Sequence, residues 1–167
     1  ANAPHLWGSG PTPEQFLELF GDYVVNRLLG RPAEFAGDPA MRSRIRRFGV
    51  VHFEQDPPVF DDVRDTVRAR GEERGFVPVA TETYVLDLAK APERATTIVA
   101  RMKEAGVTTV IFLGDPLMPI HLTAAATQQH YFPEWVIAGT AFTDTSVFGR
   151  RYDQRQWAHA FGVSPLG

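Results

Sequence analysis

The chain has 167 residues, a formal net charge of −3, 44% hydrophobic and 22% charged residues, and no cysteine. That is an ordinary globular composition with room for one domain and a real core. It excludes a disulfide framework and a thiolate metal site, it argues against nonspecific nucleic-acid binding, which needs a basic face, and no apolar run approaches the roughly 18 residues of a membrane span.

Residues 1–13 are rich in Gly, Pro and Ser and read as an extended entry segment, with Trp7 as the large apolar residue in its middle. Ala1-Asn2-Ala3-Pro4 resembles neither the basic nor the apolar part of a signal peptide. Thr12 and Pro13 then form a cap and first-turn pair, followed by Phe16, Leu17, Phe20, Val24 and Leu28 at helical spacing. Gly30 is the expected stop, with Pro32 beyond it. Residues 31–45 are a connector with a Gly37-Asp38-Pro39 turn. "RFGVVHFE" (47–54) is a short apolar run and reads as a buried strand. Gln55-Asp56-Pro57-Pro58 breaks it and opens a second helix, with Phe60, Val63 and Val67 inward and Gly75 at its end.

"FVPVATETYV" (76–85) is the next strand, and Pro78 places it at a sheet edge. A loop leads to a third helix from Pro92, with Ile98, Val99, Met102 and Ala105 on one face and Gly106 closing it. "VTTVIFLG" (107–114) is the strongest strand signal in the chain. "PLMPIHLTAAATQQHYF" (116–132) reads as a fourth helix provided Pro119 lies in its first turn. "WVIAGTAF" (135–142) is a fourth strand, and in the mixed tail "YDQRQWAHAF" (152–161) reads as a short helix with Trp157 and Phe161 packed inward. Strands alternating with helices imply a parallel sheet covered on both faces. Ligands of such sheets lie outside the carboxyl ends of the strands, here residues 53–56, 114–116 and 139–143.

Those ends carry none of the familiar cofactor or nucleophile signatures. The first strand ends "HFEQDPP", with no glycine-rich turn for a dinucleotide, and no phosphate loop or Gly-x-Ser-x-Gly elbow occurs. His5, His52, His121, His130 and His159 include no pair at i, i+4. His52 reads as a sheet histidine, while His121 and His130 read as helix-surface residues. Of the carboxylates, Asp56 and Asp115 precede prolines at helix starts and read as caps, whereas Glu54 is freer to meet a ligand. Asp144 is a further candidate cap. "RSRIRR" (42–47) reads as a solvated edge that discourages strand pairing. No catalytic residue, metal site or cofactor is expected.

"RRFGVVHFEQDPPVFDDVRDTVRARGEERGF", "ATTIVARMKEAGVTTVIFLGDPLMP" and "WVIAGTAFTDTSVFGRRYDQRQWAHAFG" together resemble one lobe of the type I periplasmic substrate-binding proteins, the extracellular ligand-binding receptors that include the leucine/isoleucine/valine-binding proteins. Through "AGDPAMRSRIRRFGVV" and "YDQRQWAHAFG" the chain is most similar to actinobacterial transporter substrate-binding members. The resemblance implies an α/β fold, a Rossmann-like three-layer sandwich with a mostly parallel sheet. Residues 1–13 would be the crossover and 14–167 a single lobe. It implies a solute-binding role in ABC transport or sensing, with a small-molecule ligand, a second lobe and an ABC permease as partners. It also implies a periplasmic or extracellular location, lipid-anchored in the full-length protein, and no enzymatic turnover.

Amino-acid-binding members place an acid after the strand matching "WVIAG", a position that falls near Ala141 here. Their aromatic after the strand matching "VIFLG" falls near Asp115. Both departures point to a more apolar half-pocket, with Trp7, Phe53, Glu54, Asp115, Pro116, Thr140 and Phe142 as ligand-binding candidates. The ligand class is a small organic molecule with a hydroxyl or cationic group, and a branched-chain amino acid remains open. Two other readings stay open as well. One is a flavodoxin-like α/β enzyme with Glu54 and Asp115 as acid and base. The other is an interaction module, or homodimer, that buries Trp7, Phe53 and Phe142.

Overall fold

The computed structural model describes residues 13–54, 65, 68, 69, 71, 72, 74–139 and 142–164. Helix α1 (Pro13–Tyr23) starts at its proline and runs into a π-helical turn, Val24–Leu28, closed by Leu29 N–H donating to the Val24 carbonyl at 3.0 Å. Phe16, Phe20, Val24 and Leu28 are all buried, as their spacing predicts. Thr12 and the side chain of Leu17 lie outside the described residues, as do the second-helix residues Phe60, Val63 and Val67. Gly30, Gly75 and Gly106 all have positive φ at the expected stops.

The strands are β1 (Phe48–Phe53), β2 (Ala80–Tyr84), β3 (Thr109–Leu113), β4 (Glu134–Ala138) and β5 (Ala160–Val163). They form one sheet in the order β2-β1-β3-β4-β5, and every pairing is parallel. The β2 strand lies at an edge, as Pro78 indicated. All five residues of β3 and of β4 are buried, the pattern of strands covered on both faces. Helices α2 (Ala91–Glu104) and α3 (Met118–Gln128) pack on one face, where Ile98, Val99, Met102 and Leu122 meet Val110 and Phe112. The α1 stripe packs on the other, against Val50, Ile111 and Val136. Each such fully buried side chain contributes about 1.5–3 kcal/mol. Pro119 lies in the first turn of α3, as that helix requires. The chain is therefore a three-layer α/β fold.

Three expectations change. The strand at 135–142 stops at Ala138. The tail holds two short helices, α4 (Ser146–Gly149) and α5 (Gln154–Trp157), and then a fifth strand where helix was expected to continue. On α5 the fully buried residue is Gln156, which bonds Trp135 Nε1, Thr127 Oγ1 and the Tyr131 carbonyl, while Trp157 is half-buried. The arginine cluster is not wholly solvated either. Arg46 is buried beside Glu134, donating from Nε to Oε2 at 2.8 Å and from Nη2 to Oε1 at 3.0 Å. Phe35 N–H at 2.9 Å and Thr109 Oγ1 at 2.8 Å complete that carboxylate. A bidentate, fully bonded pair is the condition under which a charge tolerates burial. It ties the connector to the amino ends of β1, β3 and β4.

Candidate functional site

The sheet order reverses between β1 and β3, so the crevice outside their carboxyl ends is where a ligand would lie in an open α/β sheet. His52 of β1 is in register with Leu113 of β3, which brings Phe53 and Glu54 beside Gly114, Asp115 and Pro116. Phe53 is half-buried and Glu54 exposed. Phe53 is also in register with Tyr84 of β2, and their rings stack with centroids 5.3 Å apart.

Tyr84 decides the form of the Gly114-Asp115-Pro116 turn. Its hydroxyl donates to Asp115 Oδ2 at 2.5 Å, and Asp115 Oδ1 accepts from Leu117 N at 2.7 Å and Met118 N at 3.1 Å. Asp115 thus caps the start of α3, the structural role weighed for it from sequence. A side chain at position 114 would bring a Cβ to 2.2 Å from the Tyr84 hydroxyl, so only glycine lets the tyrosine reach over. From the other side Tyr152 donates to the Pro116 carbonyl at 2.9 Å. Burial, reinforced by the Asp115 charge, pushes both tyrosine hydroxyls above their ordinary value of 10.0, so both stay protonated donors. Neither tyrosine was identified from sequence, because each acts across a long loop.

The other expected site residues scatter. Phe142, after β4, is 64% exposed with φ +63, and its carbonyl accepts from Thr145 N and Oγ1. Trp7, Asp56, Thr140 and Ala141 lie outside the described residues. The structure therefore brings Phe53, Glu54, Asp115 and Pro116 together and leaves Phe142 on the rim. Val85 and Leu88 after β2, with Phe142 after β4 and Val147 in α4, expose large apolar side chains in the segments that follow the carboxyl ends. Near Val85, a cavity of about 280 Å³ is lined by Asp87, Lys90, Ala91, Arg94 and Met118. Among the described residues no group of three or more His, Asp or Glu side chains could hold a metal ion, and no helix is long and apolar enough to cross a membrane.

No protein-family model and no curated protein matches the sequence. Solved structures do match the fold. A fatty acid ABC transporter substrate-binding protein from Thermomonospora curvata superposes with a TM-score of 0.58 at 12% identity, covering 93% of this chain and 35% of its own. A type 1 periplasmic binding protein from Bordetella pertussis Tohama I gives 0.51 at 17% identity, covering 83% of this chain and 33% of its own. The chain has the fold of one lobe of a type I periplasmic binding protein. It spans about a third of the length of the proteins it matches. In this fold the β1/β3 crevice and the exposed apolar side chains lie on one side, and the Arg46–Glu134 pair lies at the opposite, amino end of the strands.

Proposed function

We propose that this chain is a solute-binding lobe of the type I periplasmic class, serving ABC transport or extracellular sensing. The supporting observation is that nearly the whole chain superposes on a single lobe's worth of a substrate-binding protein. Its ligand is a small organic molecule that lies at the carboxyl ends of the strands. Phe53, Pro116 and Phe142 contact its apolar body, and Glu54 and Thr140 orient its polar group. Trp7 is a further ligand contact in this reading. Asp115 contributes through the turn it shapes, since its carboxylate already accepts three hydrogen bonds. The second lobe closes over the exposed Val85, Leu88, Phe142 and Val147, and an ABC permease is the downstream partner of a periplasmic or extracellular protein. The engaged state of Asp115 also disfavours it as a catalytic acid or base.

A thermal-shift screen against amino acids, sugars, polyamines and small aromatic acids tests this reading. A ligand at 100 times its Kd stabilises the folded state by about 2.7 kcal/mol, which raises Tm by roughly 5–10 °C for a chain of this size. Glu54→Ala and Phe142→Ala should each reduce the shift without lowering the Tm of the free protein, because both side chains are exposed. A hit that survives both substitutions would place binding elsewhere.

A further inference from the structure

A second cavity, of about 210 Å³, opens at the β5 edge of the sheet, lined by Ile137, Asp144, Trp157 and residues 160–164. None of these residues belongs to the strand-end set proposed above, so either reading can fail alone. Both aromatic walls are braced from behind. Trp157 packs edge-on against Tyr152 with centroids 4.5 Å apart, and Phe161 against Phe35 at 5.1 Å.

Asp144 is the anomaly here. From its position before α4 it would be expected to cap that helix, yet among the described residues nothing donates to its buried Oδ1. The turn is closed without it. Thr145 N–H bonds to the Phe142 carbonyl at 3.1 Å, and Thr145 Oγ1 bonds to the same oxygen at 2.8 Å. No Lys or Arg among the described residues pairs with it. Its charge is felt at Tyr152, whose hydroxyl is raised first by burial and then by the Asp115 and Asp144 charges. A buried carboxylate oxygen with no donor is costly, and folded proteins seldom leave one without a role.

A buried carboxylate oxygen without a donor, an apolar floor and two aromatic rings together make a receptor for an organic cation, whose N–H groups satisfy the carboxylate while its hydrocarbon part lies against the rings. We propose that this cavity binds a small protonated amine, with the ammonium on Asp144 and the hydrocarbon against Trp157, Phe161 and Ile137.

The test uses n-butylammonium and its neutral counterpart 1-butanol, titrated into the 167-residue chain while the indole N–H resonance of Trp157 is followed by NMR, assigned through Trp157→Phe. The amine should give a saturable shift with a Kd of about 1 mM, within the reach of so few atoms. The alcohol should bind about tenfold more weakly, and Asp144→Asn should weaken the amine by a similar factor while leaving the unfolding midpoint unchanged or higher. Equal binding of alcohol and amine, full amine binding in the Asn variant, or no saturable shift would each overturn the proposal. Should the Asn variant fold poorly, the comparison of amine with alcohol in the unaltered chain decides.

Discussion

Replacing Glu134 by Gln keeps the shape of the side chain and removes one charge from a buried, fully bonded polar cluster. Glu134 is fully buried and accepts four hydrogen bonds, two from Arg46 and one each from Phe35 N–H and Thr109 Oγ1. A glutamine can keep its oxygen toward Arg46 Nη2 and Phe35 N–H, but its amide nitrogen then faces Arg46 Nε–H and the Thr109 hydroxyl. The hydroxyl can turn to accept; the Nε–H cannot. Arg46, with a side chain only 1% exposed, is left as a buried charge without a counter-ion. Breaking one side of a buried pair costs about 3–5 kcal/mol. With a urea m-value of about 2 kcal/mol/M, the unfolding midpoint should fall by roughly 2 M. The double variant Arg46→Met/Glu134→Leu removes both charges together. It should be less destabilised than the sum of Arg46→Met and Glu134→Leu, by about 1–3 kcal/mol. A loss below about 1 kcal/mol in Glu134→Gln, or strict additivity in the double variant, would refute this account of the amino end.

Gly162→Ala should cost about 3 kcal/mol and expose β5 to hydrogen exchange, because its Cβ would sit 1.9 Å from the Ile137 carbonyl oxygen on β4; retained stability and protection would contradict that strand contact. Gly114→Ala should cost about 1–3 kcal/mol by displacing the Tyr84 hydroxyl, and its cost should shrink in a Tyr84→Phe background, measured by the same urea titration. Tyr23, Tyr84, Tyr131 and Tyr152 all have hydroxyls raised above 10.0, with burial the leading cause for each. The unfolded chain therefore loses protons first. Stability is fully present below pH 10 and falls as pH rises beyond it. Tyrosinate absorbance of the native protein at pH 10 should be far below the half-ionised level of the unfolded chain. A normal titration would contradict the burial of these hydroxyls.

The layered fold was legible because local signals agreed. Gly30, Gly75 and Gly106 marked three stops that all proved left-handed, and β3 announced itself as an unbroken apolar run. The β5 strand was missed because Ala160-Phe161-Gly162-Val163 has only four residues, a glycine at its centre, and a helical pattern just before it. What makes it a strand is the free edge of β4, a tertiary cause. The Arg46–Glu134 pair joins residues 88 positions apart, and its arginine sits among exposed ones that mask it. At the site, the exposed carboxylate Glu54 and the capping role of Asp115 could be read from composition and helix-start rules. Tyr84 could not, because "TETYV" carries no trace of a hydroxyl reaching across 31 residues. Asp144 reads only as a cap, since nothing local indicates that its buried oxygen finds no donor in the turn.

The most direct test of the solute-binding account is a titration of the isotopically labelled chain with the best hit of the solute screen, mapped residue by residue in the two-dimensional amide spectrum. Saturable shifts should be concentrated at Phe53, Glu54, Gly114, Asp115 and Phe142, with Arg46 and Glu134 at the opposite end of the strands unmoved and the solute recovered unaltered. Shifts centred on the amino ends of the strands, chemical conversion of the solute, or a screen in which no solute raises the melting temperature would contradict it.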